Sequence, residues 1–155
     1  MKISVKSIIF DWGRTLFDSD AKKEFPESEG ILKLGAKRGY RLALVSLVNI
    51  NSNIGLDGRK KQIENSPLRK YFEVVAVTDT DKDKILDETV MKLNLPPKEI
   101  LIVDDRVVRG IKYGNLHGHP TVWLQKGKFA NELPNSETKS PTFTIHSLSE
   151  LADII

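Results

Sequence analysis

The stretch VKSIIF at residues 5–10, which is continuously apolar from Ile8 to Phe10, ends abruptly in Asp11, and this pattern decides the fold. A continuous run of branched and aromatic residues, bounded by polar ones, predicts a strand that is buried on both faces. The run ILIV at residues 100–103 repeats the pattern and ends in Asp104 and Asp105. Because the carboxyl ends of parallel strands meet at one edge of a sheet, we expect these carboxylates to lie close together.

Further strands and helices alternate along the rest of the chain. Strands are expected at residues 40–45, 73–77, 121–124 and 143–145, and helices at 26–38, 60–65, 83–93, 107–115 and 148–155. This alternation predicts an α/β fold: one domain over residues 1–155, with a doubly wound, mostly parallel sheet and helices on both faces. Segment 49–58 is rich in Asn and Gly and is expected to be a loop, and segment 126–140 either covers a site or only connects elements.

Composition narrows the function classes. The chain has 155 residues, 39% of them hydrophobic, which suffices for one core and excludes wholesale disorder. No apolar run is long enough to span a bilayer, and the first apolar run is too short for a signal peptide. The chain has no cysteine, which excludes disulfides and thiolate metal sites and favours a reducing, cytoplasmic location.

The charge pattern does not favour a nucleic-acid partner. The formal net charge is only +3, and no aromatic ladder accompanies the basic residues. The basic cluster at residues 59–61 is therefore interpreted as a solvated helix face.

The expected edge of the sheet suits phosphate chemistry. Two facing carboxylates, Asp11 and Asp105, repel each other, and a hard divalent cation with oxygen ligands, most often Mg²⁺, stabilises such a pair. A carboxylate held beside a cation can also attack phosphorus covalently. The sequence therefore points to a metal-assisted reaction at this edge.

Four motifs, in order, resemble those of the haloacid dehalogenase (HAD) superfamily in its capless form. They are the first motif at residues 8–18 (IIFDWGRTLFD), Ser46 after a strand, Lys82 or Lys84 at the next helix start, and residues 100–105 (ILIVDD). This resemblance covers nearly the whole chain and implies a Rossmann-like domain with phosphohydrolase activity.

The resemblance implies a catalytic role for each motif. Asp11 would be the nucleophile that forms an aspartyl-phosphate, and Ser46 would donate a hydrogen bond to the transferring phosphoryl group. Lys82 or Lys84 would neutralise charge on the nucleophile and on the phosphoryl oxygens. The register slightly favours Lys82, but both lysines stay open.

The resemblance also implies a Mg²⁺ site. Asp11, Asp105 and the Gly13 carbonyl would be its protein ligands. Asp104, which stands where many members carry Gly, is either a further ligand or a supporting group.

Three further residues of the first motif are assigned to substrate binding. They are Trp12, Arg14 and Thr15. Trp12 either lines the pocket or packs in the core, and Arg14 either binds phosphate or faces solvent.

Two departures from the family pattern affect the expected chemistry. Gly13 replaces the Asp that, in phosphatases of the family, protonates the leaving group and activates water; such help is typically worth ~10² to 10⁴ in rate. Gly110 stands where a second acid of the fourth motif often lies. Only 34 residues separate Asp11 from Ser46, too few for a large cap domain, and an uncapped site suits large phosphorylated substrates.

Three functions are compatible with these patterns. The first is a Mg²⁺-dependent phosphohydrolase that is slow because of Gly13. The second is a non-catalytic relative that binds metal and phosphate, and the third is a haloacid-type dehalogenase, which the missing cap disfavours.

Overall fold

A sheet of six parallel strands forms the centre of the computed structural model, which describes residues 3–155; the first two residues of the expected domain lie outside that range. In chain order the strands are β1 (Ser7–Phe10), β2 (Phe17–Asp18), β3 (Lys23–Glu24), β4 (Arg41–Leu47), β5 (Val74–Thr78), β6 (Ile100–Asp104), β7 (Thr121–Leu124) and β8 (Phe143–Ile145). The sheet order is β5-β4-β1-β6-β7-β8, and β2 and β3 form a separate antiparallel hairpin. This arrangement confirms the α/β fold class.

Helices connect the strands. They are α1 (Ser28–Lys37), α2 (Gly55–Glu64), α3 (Lys82–Leu93) and α4 (Lys112–His117), with a π-helical turn at Val107–Ile111 and 3₁₀ turns at Arg69–Tyr71, Pro97–Glu99, Gly127–Phe129 and Leu148–Asp153. The prediction of a loop over 49–58 is wrong in its second half, because α2 begins at Gly55. The predicted helix over 107–115 is in fact a π-helical turn followed by α4, and the last helix is a 3₁₀ helix.

Both faces of the sheet are covered. Alternate residues of a strand point to opposite faces, so Ile8 and Phe10 of β1 join the larger hydrophobic cluster with α1, while Ile9 joins a second cluster with α3. Both clusters consist of side chains that are almost entirely inaccessible to solvent. The continuous apolar runs are therefore those of a sheet buried between two helical layers.

The strand register places the functional residues at one edge. Phe10 pairs with Leu44 on one side and with Val103 on the other, so the chain leaves β1 between the ends of β4 and β6. The order of the sheet runs outward from β1 in both directions, which makes this a topological switch point. In open α/β sheets, ligands bind in the crevice at such a point.

Between Asp11 and the start of β4, the strand that contains Ser46, the chain forms only the β2–β3 hairpin and α1. Over these residues, all of which the structure describes, no larger domain is inserted. None of the helices within residues 3–155 is long and apolar enough to cross a membrane.

Candidate functional site

A buried lysine bridges two carboxylates at the switch point. Lys82 Nζ lies 2.8 Å from Asp11 Oδ1 and 2.9 Å from Asp104 Oδ2. Burial alone would lower the pKa of Lys82, but the carboxylates of Asp104 and Asp11 raise it above its ordinary value. Because one partner follows β1 and the other ends β6, the ammonium group fixes the two strand ends relative to each other.

The start of α3 decides which lysine reaches the site. Asp81 caps this helix, and its carboxylate accepts from the backbone amides of Asp83 and Lys84. Lys82, the first helical residue, points inward and is buried, whereas Lys84 is exposed on the outer face. The assignment of Lys84 as a catalytic alternative is therefore corrected, because its side chain lies away from the cluster.

Both carboxylate oxygens of Asp104 accept hydrogen bonds. Its Oδ1 accepts from the Arg106 amide at 3.0 Å, and its Oδ2 accepts from the Gly110 amide at 2.8 Å and from Lys82. Burial alone would raise the pKa of Asp104, but Lys82 and the Arg106 amide hold it below its ordinary value. Of the two roles left open for Asp104, the contacts favour support of Lys82 over metal ligation.

Gly110 provides the space that Asp104 occupies. A Cβ atom at position 110 would overlap Asp104 Oδ2 and lie within 2.9 Å of Asp104 Cβ. Gly110 belongs to the π-helical turn, a feature that often occurs at functional sites. The carboxylate of Asp104 thus occupies the space into which a side chain at position 110 would extend.

Asp105 differs from Asp104 in having no donor for one oxygen. Its Oδ2 is buried and has no hydrogen-bond partner within the described residues. Burial and the nearby charges of Asp11 and Asp104 raise the pKa of Asp105 to about 10. An orphaned carboxylate oxygen at such a place is expected to have a cation or a proton as its partner.

The oxygen set fits a hard metal ion. One carboxylate oxygen from each of Asp11, Asp104 and Asp105 lies within 4.8 Å of the others. Gly13, the expected carbonyl ligand, lines the same cavity as Asp11 and Asp105. The acidic cluster therefore has the donor chemistry to hold a divalent cation.

Two residues expected to bind substrate are buried instead. Thr15 is inaccessible to solvent, and its hydroxyl donates to Asp11 Oδ2 at 3.0 Å. Trp12 is also inaccessible; its ring stacks on Phe17 and its Nε1 donates to Gln62 at 2.8 Å. The substrate-binding assignments of Thr15 and Trp12 are corrected: Thr15 orients Asp11, and Trp12 packs in the core.

Arg14 lines the cavity. Its φ of 64° lies in the left-handed region that favours glycine, and its guanidinium makes two 3.2 Å contacts with Asp20. Of the two possibilities left open for Arg14, the geometry favours a position facing the site, with Asp20 as its partner.

Ser46 faces a residue that the sequence did not bring forward. The Nη1 of Arg59 on α2 donates to Ser46 Oγ at 2.7 Å, which leaves the hydroxyl proton of Ser46 free to be donated. The Nε of Arg59 is buried without a partner within the described residues. Arg59 was assigned to a solvated helix face, but the early start of α2 turns it toward Asp11.

The cavity beside these residues is small and cationic. Its volume is about 190 Å³, and among its lining residues are Asp11, Gly13, Arg14, Arg59, Asp105, Arg106, Arg109 and Lys128. Arg109 and Lys128 were not predicted; the only sequence signals were Arg106 and Arg109 just after the fourth motif and the basic segment 126–128. Of the two roles left open for segment 126–140, the lining of the cavity by Lys128 and Phe129 favours covering a site.

Comparison with known proteins is consistent with this geometry. Residues 74–151 match a family model described as HAD-hydrolase-like. Glyceraldehyde 3-phosphate phosphatase of Methanopyrus kandleri is 26% identical over 137 residues, which cover 86% of this chain and 57% of that protein. The chain thus spans little more than half the length of this relative.

Solved structures share the fold. The HAD-hydrolase YfnB of Bacillus subtilis, crystallised with magnesium, is 13% identical with a TM-score of 0.77, over 96% of this chain and 97% of that one. L-2-haloacid dehalogenase of Xanthobacter autotrophicus, with chloropropionic acid covalently bound, is 12% identical with a TM-score of 0.75, over 96% and 97% of the two chains. At such identities these likenesses concern the fold alone.

Proposed function

The chain belongs to the HAD-hydrolase-like family, and we propose from this membership and from the site that it is a Mg²⁺-dependent phosphohydrolase acting through an aspartyl-phosphate on Asp11. The observation that carries the proposal is the arrangement of Asp11 beside the orphaned Oδ2 of Asp105, in a cavity rich in cations. An anionic phosphoryl group is the substrate that such a cavity would attract.

Contacts around Asp11 orient it for attack on phosphorus. Lys82 holds Oδ1 and Thr15 holds Oδ2, so the carboxylate has one fixed orientation in the cavity. Lys82 stays protonated between its two carboxylates and neutralises negative charge near the phosphoryl oxygens. The Ser46 hydroxyl proton, which Arg59 leaves free, would be donated to a phosphoryl oxygen.

Asp11, Asp105 and the Gly13 carbonyl would hold the metal ion. Burial and the charge of Asp104 raise the pKa of Asp11, and the pKa of Asp105 is raised as well. Bound Mg²⁺ would supply positive charge that keeps both carboxylates ionised and neutralises the phosphoryl oxygens.

Gly13 limits the rate because the site lacks an acid beside the leaving oxygen. Asp11 and Asp105 are the only carboxylates among the described residues that line the cavity, and both belong to the proposed metal site. The substrate is a phosphorylated compound, which the uncapped edge allows to be large. The named substrate of the Methanopyrus relative, glyceraldehyde 3-phosphate, is one compound to test. The absence of cysteine favours the cytoplasm.

A dehalogenase and a non-catalytic binding protein are the alternatives. A haloalkanoic acid needs a protected, largely apolar environment around its reacting carbon, whereas five arginine and lysine side chains line this cavity. The binding alternative rests on Gly13 alone, and it is distinguished from the enzyme by covalent labelling of Asp11.

The test combines turnover with mass spectrometry. Purified protein is given p-nitrophenyl phosphate, whose leaving group needs little protonation, with Mg²⁺ or with EDTA. We expect turnover that depends on Mg²⁺ and a phosphoryl adduct on Asp11 after an acid quench, both absent in Asp11→Asn. Neither turnover nor an adduct in the wild type, with Mg²⁺ binding retained, would favour the binding protein.

A further inference from the structure

The guanidinium group of Arg59 lies beside position 13, where phosphatases of the family carry a carboxylic acid. A Cβ atom built on Gly13 would lie 3.9 Å from Arg59 Nη1 and 4.0 Å from Arg59 Nη2. A side chain at position 13 would thus extend toward the same space that Arg59 occupies. The residue that borders the departing group is therefore cationic, and no acid lies there.

Among the described residues, two of the cations around Arg59 have carboxylate partners, and two do not. Arg14 pairs with Asp20, and Arg106 pairs with Glu132. Arg59, Arg109 and Lys128 line the same cavity and have no ion-pair partner within residues 3–155. Three cations without partners are more than one transferring phosphoryl group needs, since the proposed function already assigns Lys82, which contacts Asp11, and Ser46 to that group.

Such a site stabilises an anion better than it protonates one. A guanidinium group keeps its proton at any physiological pH and matches two oxygens of a phosphate or carboxylate with parallel hydrogen bonds. The described lining residues contain no histidine, glutamate, tyrosine or cysteine that could supply a proton to a leaving alkoxide. Loss of a general acid typically costs ~10² to 10⁴ in rate, and this cost falls on leaving groups that must be protonated.

We infer that the substrate is a phosphoryl group joined to an oxyacid, as in a phosphoanhydride or an acyl phosphate, and that Arg59, Arg109 and Lys128 bind the departing oxyanion. This inference rests on the proposed phosphohydrolase function. In the first step, an Asp11 oxygen bonds to phosphorus while the bond from phosphorus to the bridging oxygen breaks. The electron pair stays on that oxygen, which leaves as a phosphate or carboxylate anion without a proton.

The second step needs no acid either. Water attacks the phosphorus of the aspartyl-phosphate, the bond to the Asp11 oxygen breaks, and the carboxylate is released. Both protons of the water end on the released inorganic phosphate. When the leaving group is an oxyacid anion, the first step therefore does not need an acid at position 13. When the leaving group is an alkoxide, it does.

The experiment compares leaving groups at a fixed enzyme concentration with Mg²⁺. Values of kcat/KM are measured for pyrophosphate, ADP and acetyl phosphate, after subtraction of spontaneous hydrolysis, and for glycerol 3-phosphate and glyceraldehyde 3-phosphate. We expect at least one oxyacid compound to exceed both alkyl esters by ~10²-fold or more, the size of a general-acid contribution. A preference for pyrophosphate and ADP assigns the anhydride class, and one for acetyl phosphate assigns the acyl class.

Variants of α2 test the role of Arg59. Arg59→Gln should lower kcat/KM for the preferred oxyacid by ~10²-fold, the typical effect of removing one oxyanion donor, and should lower it less for p-nitrophenyl phosphate. Arg59→Lys should restore part of the loss. Lys60→Gln removes an equal charge from the next residue, which is exposed and outside the cavity, and should leave the ratio of the two substrates unchanged.

Binding gives a second readout. In the Asp11→Asn background, which cannot form the covalent adduct, calorimetry should show that Arg59→Gln weakens pyrophosphate binding more than phosphate binding. The inference is overturned if the alkyl esters are turned over as well as every oxyacid compound while p-nitrophenyl phosphate is still hydrolysed through Asp11. That result would leave the proposed phosphohydrolase function intact. No turnover of any compound and no Asp11 adduct would remove both.

Discussion

Placing an aspartate at position 13 should convert the site toward alkyl esters, but only when Arg59 is also changed. The structure has room for the side chain: a Cβ atom on Gly13 would have Ser19 Oγ at 3.5 Å as its nearest neighbour, an ordinary van der Waals contact. Gly13 is not among the residues with a positive φ, so an L side chain is compatible with its backbone. We therefore expect Gly13→Asp to fold.

Arg59 sets the magnitude of the effect. The Cβ atom of the new side chain would lie about 4 Å from that guanidinium, and a carboxylate at a similar distance would interact with it by about 4 kcal/mol at an effective dielectric constant of 20. At ~1.4 kcal/mol per pKa unit, this interaction could lower the pKa of the carboxyl by up to about 3 units. The aspartate, already ionised at neutral pH, would then be an even weaker proton donor to an alkoxide, although it could still accept a proton from water.

The assay is phosphate release from glycerol 3-phosphate at pH 7 with Mg²⁺. Gly13→Asp alone should gain less than ~10-fold, while Gly13→Asp combined with Arg59→Gln should gain ~10² or more, because an unpaired carboxyl regains its acid function. Arg14, the cation next to position 13 in the sequence, already has Asp20 as its ion-pair partner.

Two controls make the result decisive. Gly13→Asn combined with Arg59→Gln fills the same volume without a titratable group and should gain nothing. Circular dichroism and thermal unfolding show whether each variant is folded. A folded aspartate double variant that hydrolyses glycerol 3-phosphate no faster than its asparagine counterpart would refute the reasoning.

Three further predictions concern the buried charges. Asp105→Asn should abolish the thermal stabilisation by Mg²⁺ yet stabilise the metal-free protein by about 1–3 kcal/mol, since an unpartnered buried carboxylate is removed. The pKa of Asp105 is raised to about 10 in the folded protein, from about 4 in the unfolded chain. The metal-free wild type should therefore lose stability as the pH rises between those two values, and Asp105→Asn should lose less. Urea unfolding at a series of pH values measures both. Lys82→Met should cost about 3–5 kcal/mol and abolish turnover, whereas Lys84→Met, on the exposed face, should be near neutral in both assays. Gly110→Ala should destabilise by about 1–3 kcal/mol in the same unfolding assay, because its methyl group would displace Asp104.

Local pattern alone was enough to predict the sheet and the residues at its edge. Each apolar run is long enough to be recognised as a strand, and the polar residue that follows the run, Asp11, Ser46 or Asp105, must lie near the carboxyl end of that strand. Parallel pairing then brings these ends together whatever their separation along the chain. This information is carried by single residues next to a recognisable element, so no knowledge of packing is needed.

The identity of the charged groups that face the cavity was decided only by the tertiary structure. Lys82 and Lys84 lie two positions apart on a helix, so about 200° of rotation separates them, and the capping of α3 by Asp81 determines which one faces Asp11. Arg59 is thirteen residues from Ser46, directly after a segment whose Asn and Gly content predicts a loop, and it reaches the site because α2 begins at Gly55 and packs near β5. Trp12 and Thr15, adjacent in sequence to the site, turned inward because the turn after β1 buries them. A side chain's direction depends on where its element begins and what that element packs against, and the sequence pattern leaves both undetermined.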